Sequence, residues 1–168
     1  MSITSTHKKL LRDLEQYESR LTTFSNEDFI KKPHSDVWSP AEVYAHIISA
    51  NRLTIKAMEK AVRGEMTEDH SPLSWKARMI FLLNRIPKGR KVPAAIEART
   101  PKYASIQEAR EHLSALISEL KEIFNKRNDW QKYQKFKHPA LGMMNNEEWL
   151  SFMRVHTRHH LKQLDRVS

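Results

Sequence analysis

The chain has 168 residues, enough for one core that buries about two thirds of the unfolded surface, so residues 1–168 are expected to form a single domain. Its 29 Lys and Arg against 20 Asp and Glu give a formal charge of +9, and with no cysteine it excludes disulfides, thiolate zinc sites and a cysteine nucleophile. No stretch reaches the roughly 18 consecutive apolar residues of a membrane span, and the opening MSITSTHKKLLRDL lacks the apolar run of a secretory signal, so a cytoplasmic protein with no membrane partner is the expectation.

In chain order, the first element is a helix from about Ser5 to Thr23, where Leu10, Leu11, Leu14, Tyr17, Glu18 and Leu21 recur at helical spacing, Glu18 being the lone charge near that stripe. The polar segment Ser25 to Val37 reads as a short turn of helix and a loop. The phrase Trp38-Ser39-Pro40-Ala41-Glu42 opens the second long helix, with Ser39 as N-cap, Pro40 in the first helical position and Glu42 completing a capping box. On this helix Val43, His46, Ile47, Ala50, Leu53, Thr54, Ala57 and Met58 share an apolar arc that places His46 inward. Gly64 ends the helix.

Ser71-Pro72 is expected to open a shorter helix with Trp75, Met79, Phe81, Leu82 and Leu83, stopped by Pro87 and Gly89. Between Ser71 and Tyr103 eight basic residues face the single acid Glu97, and the Pro-rich stretch from Pro87 to Pro101 reads as an ordered loop over the bundle. Ser105 to Glu108 is a second capping box, opening a helix whose inner face holds Ala109, Leu113, Leu116, Ile117, Leu120, Ile123 and Phe124. A connection follows with Trp130, Tyr133, Phe136 and the phrase His138-Pro139-Ala140-Leu141-Gly142. Asn145 and Glu148 then cap the last helix. The pattern is all-α.

The last helix carries the sharpest signal. At about 100° per residue, Trp149, Phe152, Met153, His156, His160, Gln163, Leu164 and Val167 fall on one arc roughly 120° wide, with Arg154, Arg158, Lys162 and Asp165 opposite as a solvated face. His156 and His160 therefore look inward. Residues four apart have β-carbons about 5 to 6 Å from each other, close enough for two ring nitrogens to converge on one ion.

His46 would complete a set of three if its helix neighbours the last one. A buried titratable group costs desolvation, so three of them inside one core need either separate hydrogen-bond partners or a shared ion. A three-imidazole site would leave part of an ion open to water or substrate, and imidazole ligation suits zinc, nickel, iron or copper without choosing among them; the divalent metal expected is zinc or nickel first, then iron or manganese. His159, at the edge of the arc, and Gln163, one turn past His160, are candidate helpers. His138 is a candidate fourth ligand or proton carrier, or simply a turn residue. The phrase His156-Thr157-Arg158-His159-His160 lacks the glutamate of a zinc peptidase at position 157.

Trp38-Ser39-Pro40-Ala41-Glu42 followed by His46, together with His156-Thr157-Arg158-His159-His160-Leu161-Lys162-Gln163-Leu164, resembles the DinB-like superfamily of metal-dependent enzymes over essentially the whole chain. The His138-Pro139-Ala140-Leu141-Gly142 turn before the last helix resembles one subfamily. The resemblance implies a four-helix bundle with a long crossover connection plus short extra helices, and a metal held by His46, His156 and His160. It also implies chemistry of the kind found in bacillithiol transferases and mycothiol-dependent maleylpyruvate isomerase, where a metal activates a low-molecular-weight thiol, and often a homodimer.

The reading that results is a metal-dependent enzyme acting on a small molecule, as an S-transferase or a hydrolase, with the basic loop 88–102 flanking its pocket. One rival is a non-catalytic interaction or structural bundle with a structural metal or none. Another is nucleic-acid binding through the basic segment, disfavoured because no helix shows a reading face.

Overall fold

The structure is a computed structural model that describes residues 2–35, 37–87 and 101–166. Four long helices form the body: α1 (Ile3–Leu21), α3 (Pro40–Val62), α5 (Ile106–Asn125) and α6 (Asn146–Leu164). Among the described residues two short helices accompany them, α2 (Asn26–Ile30) and α4 (Trp75–Leu83), with a 3-10 turn at Arg127–Asp129. Among the described residues no helix is long and apolar enough to cross a membrane.

Side-chain caps set where these helices begin. The Ser39 side chain accepts from the Glu42 amide and Glu42 accepts from the Ser39 amide, the reciprocal box expected from the sequence. Asn145 and Glu148 repeat it for α6. Elsewhere the starts move. α1 begins at Ile3, two residues before the expected start, and is capped by Ser2. At α5, Ser105 accepts from Glu108 N while the Glu108 carboxylate reaches back to Ala104 N, one residue beyond a reciprocal box. α4 is capped by Ser74 instead of opening at Ser71-Pro72, because the Ser71 amide and hydroxyl are both taken by the Asp69 carboxylate.

α6 packs against α1 and α3, and α5 against α3 and α1, so α1 lies diagonal to α3 and α5 to α6. Residues 63–105 join α3 to α5. Leu10, Leu14, Tyr17 and Leu21 of α1, Tyr44, Ile47, Ile48 and Met58 of α3, and Leu113, Leu116 and Leu120 of α5 fill the centre. Tyr17 donates to the Thr157 carbonyl at 2.9 Å, Tyr44 to the Tyr17 carbonyl at 2.6 Å, and Asn51 to the Thr157 hydroxyl at 3.1 Å. Three helices are thereby tied together by paired polar groups in an otherwise apolar interior.

Several sequence expectations need correction. The connection before α6 is a small antiparallel sheet in the order β1 (Thr67–Glu68), β2 (Gln134–His138), β3 (Gly142–Met144). His138 pairs with Gly142, whose φ of +85° closes the turn between them without the penalty a side chain would bring. Arg154 is 7% exposed, not solvated, and donates to the Asn84 side chain at 3.0 Å; α6 is covered on more than its histidine face. Leu53 is 65% exposed, outside the buried arc of α3. Glu18 is exposed, and the acid that α1 buries is Asp13, whose carboxyl burial raises in pKa against the opposing pull of Arg154 and Arg158. Residues 88–100 of the basic loop, and Val167, lie outside the described residues; Lys102 is exposed.

Candidate metal centre

The capping box at Ser39 fixes the first turn of α3 and brings His46 to its inner side, where it is buried. α6 presents His156 and His160 on the facing stripe, one turn apart. The Nε2 atoms of His46 and His156 lie 3.3 Å apart, and those of His160 and His156 3.1 Å apart. One ligand atom from each of the three residues falls within 4.8 Å of the others. The helix adjacency that the sequence left open is therefore present.

Burial holds all three imidazoles in the neutral form. His46 is pushed down to about 4 by desolvation. His160 is pushed down to about 3, by desolvation and then by His46, against the opposing effect of its bond to Gln163. His156 lies well below the usual histidine range, by desolvation first and by the neighbouring His160 and His46 next. Ring nitrogens this close need a hydrogen or a cation between them, and a cation can be shared by all three where a neutral N–H serves one pair at a time. Metal–nitrogen arms of about 2.0–2.1 Å meeting at tetrahedral angles would set donor nitrogens about 3.3 Å apart. The His46–His156 and His160–His156 separations agree with this and the third pair lies within 4.8 Å, so the residues present fit a metal ion held by imidazole.

The walls of the centre are aromatic. Trp38 stacks parallel to His160, with centroids 6.2 Å apart, and meets His46 edge-on at 5.2 Å. Phe152 stacks on His156 at 5.2 Å. Sequence reasoning used Trp38 only as a marker of the helix start; its position just before the N-cap, a site that favours apolar packing back onto the helix, was the available signal. Asn51 and Thr157 were missed as partners, although Thr157 sits between the two histidines of α6.

The candidate helpers separate clearly. Gln163 meets His160, its Oε1 lying 2.8 Å from the ring Nδ1. His159 is half-buried, edge-on to His160 at 5.1 Å and outside the three-residue group, its pKa lowered by burial and then by Arg166 and Lys162. His138 is also outside that group: its Nδ1 accepts from the amides of Ala140 and Leu141, capping the turn, and its ring meets Phe152 edge-on at 4.5 Å. The turn phrase has a further task, since the Leu141 carbonyl accepts from Ser74 Oγ at 2.6 Å and ties α4 to the hairpin.

A four-helix body with three inward histidines on two facing helices defines a bundle with a candidate metal centre. The chain belongs to the DinB superfamily, whose family model matches residues 9–164. No curated protein matches it. Among solved structures it is similar to YfiT from Bacillus subtilis, described as a probable metal-dependent hydrolase with an unusual four-helix bundle topology; the two share 13% identity with a TM-score of 0.67, over 100% of this chain and 88% of that one. At that identity the likeness shows the fold.

Proposed function

We propose that this protein is a metal-dependent hydrolase of a small molecule, with a divalent ion held by the Nε2 atoms of His46, His156 and His160. The convergence of three neutral ring nitrogens on one point, two of them on buried residues, is the observation that carries this reading. An ion held there would act as a Lewis acid and lower the pKa of a bound water or thiol into the neutral range. Three protein ligands leave room for such a molecule, which is the pattern of a reactive centre and not of a closed structural one. The description of YfiT as a probable metal-dependent hydrolase agrees with it.

Around that point the chain's own residues exclude water and shape the approach. Trp38 and Phe152 cover the ring faces of His160 and His156. Three neutral imidazoles cancel none of a divalent cation's charge, so the centre favours an anionic or readily deprotonated ligand. The same centre would serve a small thiol, which needs only deprotonation to become the nucleophile, so S-transfer is the second reading.

Elemental analysis of untagged protein beside the His156→Ala/His160→Ala double variant tests the site. Stoichiometric zinc, nickel, iron or manganese in the wild type and none in a folded variant is the expected outcome. A wild type that stays metal-free after exposure to all four ions would overturn the reading. Loaded protein is then assayed against esters and amides, and against electrophiles with a small thiol; turnover only with the thiol would replace hydrolysis by S-transfer.

A further inference from the structure

We infer that Gln163 is a positioning residue that fixes the tautomer of His160, accepting its Nδ1 proton so that Nε2 is left bare toward His46 and His156. The inference takes its functional meaning from the metal reading above. The donor and acceptor roles follow from the atoms: an amide oxygen can only accept, so the His160 Nδ1 lying 2.8 Å from Gln163 Oε1 must be the protonated nitrogen. A neutral imidazole carries one N–H, so its Nε2 then holds a lone pair. That lone pair lies 3.1 Å from His156 Nε2, at the point of convergence.

The arrangement is built into the sequence of α6. Gln163 stands three residues after His160, on the same helical face one turn on, and is itself half-buried. Trp38, stacked parallel to the His160 ring, covers its face but does not choose between the two ring nitrogens, because stacking is the same for both tautomers. His156 Nε2, at the other nitrogen, can donate or accept, whereas Gln163 Oε1 can only accept and so makes that choice. His160 is also the exception among the three: no hydrogen bond to Nδ1 of His46 or His156 is found among the described residues. An outer partner of this kind fixes ring orientation and raises ligand basicity, and its loss typically costs about 10- to 100-fold in metal affinity.

The test reads the tautomer without metal. Protein labelled with 15N-histidine is observed by long-range proton–nitrogen NMR at neutral pH, as wild type, Gln163→Leu and Gln163→Glu, with the His160 ring assigned by its loss in His160→Asn. The wild type and Gln163→Glu should show His160 protonated at Nδ1, and Gln163→Leu should show a shift toward Nε2–H. Zinc competition titrations of the same proteins should give about 10- to 100-fold weaker binding for Gln163→Leu, recovered in Gln163→Glu. Protonation of wild-type His160 at Nε2 would overturn the inference, as would a Gln163→Leu variant with unchanged tautomer and zinc affinity. A wild type that shows the Nδ1–H tautomer yet takes up none of zinc, nickel, iron and manganese would support the Gln163 assignment while removing the metal reading, so the two fail separately.

Discussion

At the scale of single residues, three neutral imidazoles in one buried cluster make metal-free protein sensitive to acid. In the unfolded chain each histidine takes up a proton at about pH 6.5, whereas in the fold His46 does so only near 4 and His160 near 3. Between those values the unfolded state binds more protons than the native one, so stability rises with pH through that window and is lost as pH falls from about 6.5 toward 4. Above the window these groups contribute no pH dependence. Thermal midpoints of metal-free protein should therefore drop on acidification, and His46→Gln should flatten that slope; an identical slope in the variant would show that His46 does not titrate as the fold implies. Residue positions were read from the sequence with uneven success. His156 and His160 were legible because a strict spacing and an apolar stripe surround them. The burial of Arg154 was not, because it depends on Asn84, at the end of a helix distant in sequence.

At the scale of elements, local chemistry dominates where it is strong. The Ser39 box lies within one short stretch of chain and could be read in full, and it sets the helical phase that carries His46 inward. Ser39→Ala should cost about 1 kcal/mol in denaturant unfolding, with the wild-type m-value kept. The register between α3 and α6 rests instead on a long-range contact, Asn51 to Thr157, five residues after His46 and one after His156. Asn51→Leu leaves the buried Thr157 hydroxyl without that donor and should cost about 1–3 kcal/mol. It should also weaken zinc binding, because the gap between the His46 and His156 nitrogens spans the same two helices. A destabilised variant with unchanged zinc affinity would show that the two helices keep their spacing without this bond. The small sheet was illegible for a related reason: strands of two, five and three residues, with Lys135 and Lys137 in the longest, show no alternation strong enough to stand out. The pairing with β1, from far earlier in the chain, holds them.

At the scale of the whole molecule, the proposed ion would join two helices that the chain separates by 110 residues, counted from His46 to His156. An unfolded chain cannot keep those groups together, so an ion that needs all three binds the native state almost alone. Binding of that kind stabilises by about 2.7 kcal/mol when free metal is a hundred times its dissociation constant. For a chain of this length the thermal midpoint should then rise by roughly 5–10 °C. His46→Ala should lose most of the rise while keeping the pair on α6, which can still take an ion from within one helix. Differential scanning calorimetry of wild type and His46→Ala, each with and without zinc, separates the two cases. An equal rise in both would mean that the ion sits on α6 alone and that α3 supplies no ligand, whereas a rise confined to the wild type would make the ion a tie between helices as well as a reactive centre.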